Sequence, residues 1–185
     1  VQNSSASEIL KISDDGKTVI NTLTIGLGNN QIVSNMAIGY QSLNSITSGT
    51  FNHGIGYQTL KNTTTATKNT AVGYFASTLV TGSNNTSLGY KALGNSTSST
   101  TNTAIGVEAL QASNSGGENT ALGYQALYSN ISGWGNVALG NQAAYSNNSG
   151  FGSVSIGYQA RYSSTSGNYN VGIGYATYNS SSTGS

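Results

Sequence analysis

The hydrophobic and polar positions of this chain follow one phrase that keeps returning. In Asn119-Thr-Ala-Leu-Gly123-Tyr-Gln-Ala-Leu127, an extended backbone puts Thr120 and Leu122 on one face and Asn119 and Ala121 on the other, which predicts a short strand. Tyr124-Gln-Ala-Leu127 reads as a second strand. Gly123 supplies the bend between them, where a side chain would not fit or where φ must be positive. The segment from Tyr128 to Gly135 is rich in Ser, Asn and Gly and reads as a return loop.

Aligned on the glycine, the phrase recurs at Gly39, Gly56, Gly73, Gly89, Gly106, Gly123, Gly140, Gly157 and Gly174, every step being 17 residues but one of 16. Four residues earlier stands Asn35, Asn52, Asn69, Asn85, Asn102, Asn119, Asn136, Ser153 or Asn170. Directly before the glycine stands Ile38, Ile55, Val72, Leu88, Ile105, Leu122, Leu139, Ile156 or Ile173. A fixed period of this kind marks a repeat architecture. Units this short, with several Gly, Ser, Thr and Asn, cannot hold a helix pair. The prediction is therefore all-β: a parallel β-roll or β-solenoid of about nine 17-residue coils. With coils roughly 4.8 Å apart, the shaft is on the order of 40 Å long.

Stacked coils place like on like. Asn69, Asn85, Asn102, Asn119 and Asn136 are expected to form an amide ladder, and Gly73, Gly89, Gly106, Gly123, Gly140 and Gly157 to mark the bends. The pre-glycine residues are expected to build an apolar spine, with Leu43, Leu60, Leu93, Leu110 and Leu127 four residues after the glycine. That is a thin core. The column two before the glycine is always small (Ala37, Gly54, Ala71, Ser87, Ala104, Ala121, Ala138, Ser155, Gly172), and the column three after it is rich in alanine (Ala76, Ala92, Ala109, Ala126, Ala143, Ala160). A solvent-facing strand position would tolerate larger residues, so one of these faces is expected to pack on another chain, most simply about a three-fold axis.

Residues 1–34 stand apart as a connecting or capping segment. Glu8 to Ile12, Asp14-Asp15-Gly16 and Thr18 to Ile20 read as a strand pair around a turn. Thr24-Ile25-Gly26, 13 residues before Gly39, reads as a degenerate first coil. The repeat domain covers 35–178, and the Ser-rich 179–185 reads as a loose tail.

Composition narrows the function. The hydrophobic share of 36% lies below the roughly 45–50% of average proteins, which argues against a conventional single core. Charged residues make up 6%, and five of the eleven fall in the first 17 positions. The repeats are thus almost neutral and offer no Lys and Arg surface for nucleic acid. Ile, Leu and Tyr return in register, unlike in disordered chains. Without cysteine there is neither a disulfide staple nor a thiolate metal site. No run has the length of a membrane-spanning helix and no signal peptide is visible. Val1 in place of methionine reads as a processed form or a fragment.

The Asn-Thr-Ala-Ile/Val/Leu-Gly-Tyr-Gln-Ala-Leu repeat resembles the head repeats of trimeric autotransporter adhesins of the YadA-like kind. It is still closer to the related repeats of bacteriophage and viral tail-fibre proteins. The likeness covers roughly residues 22–178. It implies a left-handed parallel β-roll with three chains wound side by side. It also implies an adhesive or receptor-binding fibre, placed extracellularly, on a cell surface or on a virion. The head repeats of that family are shorter, so the longer unit here is expected to enlarge the outer loop. No coiled-coil stalk or membrane anchor follows the repeats, and no ligand transfers by motif alone.

Candidate chemistry is sparse. His53 occupies a column otherwise filled by Thr, Met or Val and reads as a stacked structural residue. Asp14 and Asp15 read as turn residues, and Glu108 and Glu118 as solvated. With no metal-ligand spacing or phosphate loop, neither a cofactor nor an enzymatic activity is expected. Tyr40, Tyr57, Tyr74, Tyr90, Tyr124, Tyr158 and Tyr175 follow the repeat glycine and are assigned to the scaffold as a stack.

The later coils carry further aromatic residues, with Tyr128, Tyr145 and Tyr162 in one column and Trp134 and Phe151 in another. Flat rings beside Asn, Ser and Gln suit a neutral sugar, so a cell-surface glycan or receptor is one candidate partner. The other reading is that these rings staple loops or subunits together. Asn-x-Ser/Thr triplets at Asn3, Asn62, Asn84, Asn85, Asn95, Asn130, Asn147 and Asn179 fall mostly in return loops. Three functions are carried forward: an adhesive fibre module gaining strength by avidity, a structural filament subunit, and an ice-binding solenoid. The ice-binding reading is weakened where the Thr70, Thr86, Thr103, Thr120 column turns into Val137, Val154 and Val171.

Overall fold

A computed structural model describes residues 11–12, 18–20 and 23–177, with side chains over 25–177. Among these the chain is all-β, with twelve strands joined in sequence order into one sheet and one short 3-10 turn at Asn29–Gln31. The first three strands, β1 (Lys11–Ile12), β2 (Thr18–Ile20) and β3 (Leu23–Gly26), are antiparallel, with Lys11 opposite Val19 and Thr18 opposite Ile25. The expected strand pair is present. Its turn at Asp14-Asp15-Gly16, residues 8–10 and the 179–185 tail lie outside the described residues.

Nine three-residue strands follow, one per coil: β4 (Met36–Ile38), β5 (His53–Ile55), β6 (Thr70–Val72), β7 (Thr86–Leu88), β8 (Thr103–Ile105), β9 (Thr120–Leu122), β10 (Val137–Leu139), β11 (Val154–Ile156) and β12 (Val171–Ile173). All are parallel and in register, Ala104 lying opposite Ala121 and Ala121 opposite Ala138. The chain is a β-solenoid. The short step is absorbed in a return loop: Asn69 Nδ2 donates to Gly82 O across 13 residues, whereas Asn52 Nδ2 reaches Ala66 O across 14. Thr70 therefore still faces Thr86 and Val72 faces Leu88.

Three expectations change. Thr24-Ile25-Gly26 is not a first coil, because β3 runs antiparallel to β4 with Ile25 opposite Ile38. The short link through Asn29–Gln31 reverses the chain and does not carry it around a full turn.

Tyr124 to Leu127 is a turn and not a second strand. Gln125 and Leu127 both take a left-handed φ of 51°. The alternation sends every second N–H group to an opposite neighbour, Gln125 N–H donating to Val107 O and Leu127 N–H to Ala143 O, while Ala126 N–H between them donates to Gly123 O in its own coil. It also lets two consecutive side chains, Ala126 and Leu127, turn inward together, which a pleated strand forbids.

The third change is which face of the strand is inside. Ala121 is 0% exposed and Leu122 41%. The leucine column of the turns fills the narrow lumen, so the strand across from it has room for Ala, Gly or Ser. Ala121, Ala126, Leu127, Ala138, Ala143 and Ala144 belong to one apolar cluster. The alanine columns therefore line the inside of the single chain and cannot meet another one. The pre-glycine Ile and Leu, expected as the spine of the core, stand on the outer face, exposed at Leu88, Leu122, Leu139 and Ile173 and half-buried at Ile38, Ile55, Ile105 and Ile156. Where the pattern places Ser77 and Ser87 inside, their hydroxyls pair at 2.8 Å, offsetting desolvation. The bend needs glycine for two reasons. Gly106 has φ 134°, and a Cβ there would lie 2.7 Å from the carbonyl carbon of Gly123 in the next coil.

Candidate functional site

Coil stacking turns each surface column into a ladder. Tyr128, Tyr145 and Tyr162 are half-buried and stack face to face, with ring centroids 5.1 and 4.9 Å apart and planes within 4° and 11°. Their faces are occupied by one another, so hydroxyls and edges are what the middle of the stack presents. Burial of the ring, followed by charge on Tyr128, Tyr162, Glu108 and Tyr124, raises the Tyr145 phenol above its ordinary value. It therefore stays a hydrogen-bond donor.

A second ladder runs through the column two residues after the repeat glycine, at Glu108, Gln125, Gln142 and Gln159. Gln159 Nε2 donates to Gln142 Oε1 at 2.9 Å, Gln142 Nε2 to Gln125 Oε1 at 3.0 Å, and Gln125 Nε2 to Glu108 Oε2 at 2.8 Å. The carboxamides of Gln125 and Gln142 both donate and accept along the shaft.

Trp134 and Phe151 stand on the return loops, 44% and 41% exposed. Trp134 lies against the preceding coil at Gly117, where a Cβ would come within 2.6 Å of the ring. Phe151 meets Tyr169 edge to face at 5.2 Å. The five loop aromatics thus form two groups, and among the described residues no ring pair joins them.

One exposed apolar column is the one that sequence reasoning placed inside. Leu88, Leu122, Leu139 and Ile173 are exposed, and so are the tyrosines after the glycine. Tyr40, Tyr57, Tyr74 and Tyr90 stack in succession at 5.3, 4.8 and 5.9 Å, as expected of a scaffold stack, but on the outside. An aliphatic column with a tyrosine column beside it, the latter interrupted at Val107 and Asn141, is more than scattered surface hydrophobics. The available signal was that Asn and Ala share a strand face; the buried asparagines from Asn35 to Asn136 identify that face as the inner one.

Other candidates resolve by position. His53 is exposed, paired in register with Met36 and Thr70. Glu118 is exposed and Glu108 accepts from Gln125. Among the described residues no three His, Cys, Asp or Glu side chains cluster, and no helix is long and apolar enough to cross a membrane. Of the Asn-x-Ser/Thr triplets, Asn85, Asn130 and Asn147 are buried, so a glycan cannot be carried there on the folded chain. Asn62, Asn84 and Asn95 are exposed, and Asn3 and Asn179 lie outside the described residues.

Register, inward asparagines and stacked surface ladders together define a parallel β-solenoid repeat protein. Comparison with protein-family models, with curated protein sequences and with solved structures returned no significant match.

Proposed function

We propose that this chain is a fibre module, extracellular or on a virion, which winds left-handed, assembles as a homotrimer and presents adhesive contacts to a cell-surface glycan or receptor. The observation that carries the reading is the outward column of pre-glycine Ile, Leu and Val, exposed at Leu88, Leu122, Leu139 and Ile173, beside the post-glycine tyrosines. Three copies burying this stripe against one another would remove it from water along the whole shaft, at roughly 25 cal/mol per Å² of apolar surface. Trp134, Phe151 and the hydroxyl edges of Tyr128, Tyr145 and Tyr162 remain on other columns for ligand contact, and repetition over three chains supplies avidity. No catalytic role is assigned.

Native mass measurement tests the assembly: a trimer is expected, and a monomer at micromolar concentration rejects the reading. Binding to a glycan array tests the adhesive part, with Trp134→Ala and Tyr145→Ala expected to abolish it in intact trimers. A structural filament subunit without a ligand of its own is the second reading. Mutual stacking of Tyr128, Tyr145 and Tyr162 favours it, because ring faces spent on each other hold coils together. Electron microscopy separates the two, discrete particles supporting the first and open polymers the second.

A further inference from the structure

The column that carries Tyr128, Tyr145 and Tyr162 is interrupted earlier on the shaft. Thr78, Gly94 and Gln111 occupy it in the preceding coils, a register tied by Asn95 N–H donating to Gln111 O and Ala112 N–H to Tyr128 O. Since Gly94 has no side chain, the surface drops there into a notch of 240 Å³. Phe75 and Leu79 form its apolar wall, and Lys91, Asn95 and Gln111 its polar one.

Gln111 is the unusual member. It is 7% exposed, and its Oε1 is buried without a hydrogen-bond partner. Glutamines of the neighbouring ladder satisfy one another, but Gln111 has glycine on one side of its column and tyrosine on the other. An unpaired carboxamide oxygen at such depth is costly, and a turn of the Gln111 side chain toward the notch that it lines lets a ligand hydroxyl satisfy it.

We propose that the notch over Gly94 binds one neutral sugar ring, a hexopyranose. A sugar hydroxyl donates and accepts, so it serves the Gln111 carboxamide whichever way that group is turned. Phe75 is held at steep angles to Tyr57 and Tyr74, 83° and 78°, so it offers an immobilised apolar wall to the C–H face of the ring at little entropic cost. Lys91 Nζ lies over the Tyr90 ring at 5.2 Å. Glu108 follows Lys91 in the same column; opposite charges side by side favour a neutral ligand over an anion. The volume falls below the about 300–1,000 Å³ of sites for drug-sized ligands and suits a single ring. The site is separate from the Trp134 and Tyr145 surface and does not depend on the reading given to it.

Saturation-transfer NMR on the full chain, with D-glucose, D-galactose and N-acetyl-D-glucosamine as probes, tests the site. Transfer to at least one sugar is expected. Gly94→Tyr continues the tyrosine column through the notch; a Cβ there meets Lys91 O at 3.0 Å and needs a small shift. That variant is expected to lose the transfer, and Gln111→Leu to weaken binding at least tenfold. Trp134→Ala and Tyr145→Ala should leave it unchanged. No transfer to any of the three sugars overturns the proposal, as does transfer that persists in folded Gly94→Tyr. Should Gly94→Tyr fail to fold by circular dichroism, Gln111→Leu decides, and undiminished transfer there overturns the site. Loss in the Trp134 and Tyr145 variants with retention in Gly94→Tyr assigns binding to the aromatic surface instead.

Discussion

Asn119 and Asn136, one coil apart, are joined twice through a single oxygen: Asn119 Oδ1 accepts the backbone N–H of Asn136 at 2.9 Å and its side-chain Nδ2 at 3.2 Å. The Nδ2 of Asn119 in turn donates to Asn102 Oδ1 at 3.1 Å and to Gly133 O at 2.8 Å, closing its own coil. The residue is 1% exposed and fully satisfied. Asn119→Ala leaves the buried Asn136 N–H without its acceptor, at about 1–3 kcal/mol, while Asn102 Oδ1 keeps the Asn119 N–H and Gly133 O keeps Asn130 Nδ2. A loss of about 2–3 kcal/mol is expected in urea unfolding. Asn119→Asp, which keeps the acceptor and loses the donors, should also destabilise; a midpoint unchanged in either variant contradicts the ladder's role.

Gly106→Ala tests the bend. Its left-handed φ and the Gly123 carbonyl both oppose a side chain, and backbone on both sides leaves little room to relax. The expected cost exceeds about 3 kcal/mol, read as a lower thermal midpoint or as insoluble protein. A variant as stable as the native chain would mean that neighbouring coils are further apart than described.

Thr101 predicts the opposite sign. It is an exposed β-branched residue at φ 58°, and Gly135 and Gly152 take the same place in later coils with φ 64°. Its N–H donation to Ser83 O does not need the side chain. Relief of left-handed strain, about 1–2 kcal/mol, less the larger entropy of glycine in the unfolded chain, leaves Thr101→Gly more stable by about 0.5–1 kcal/mol. Chemical denaturation measures it directly.

Leu122 and Ala121 separate assembly from folding. Leu122→Lys with Leu139→Lys alters the outward ladder, with at most about 0.5 kcal/mol expected per site on the isolated solenoid. The proposed trimer should dissociate while the β-signal in circular dichroism persists. Ala121→Leu adds volume to the filled lumen and should cost about 1–3 kcal/mol by overpacking. Analytical ultracentrifugation beside thermal melts distinguishes them; a double lysine variant that keeps the native mass places the interface elsewhere.

Tyr145 links stability to alkaline pH. Its phenol is raised above the usual value, first by burial and then by its charged neighbours, so the folded chain holds this proton where the unfolded chain has released it. The contribution is complete below the unfolded value of about 10 and is lost as pH rises through the folded one. Tyr145→Phe should therefore flatten the decline of unfolding free energy above about pH 10, and ultraviolet titration at alkaline pH should show one late phenol fewer. Parallel curves for the two proteins would rule this linkage out.

Much of the architecture was legible in the chain before any coordinates. Glycines from Gly39 to Gly174, asparagines four residues ahead of them and a nearly constant step specify stacked coils in register, because a repeated residue in a parallel stack meets its own kind. The leucines at Leu43, Leu60, Leu93, Leu110 and Leu127 were identifiable as core from the same columns. What the alternation of Thr120, Ala121 and Leu122 leaves open is which side of the strand is inside, since a period of two is the same viewed from either face. Tertiary structure decides it through volume. Left-handed residues such as Gln125 and Leu127 turn both Ala126 and Leu127 inward, and the lumen they fill has no space for Leu122, which is driven out to form the exposed stripe. The notch at Gly94 was equally hidden, because a missing side chain makes a site only when the neighbours above and below it are known.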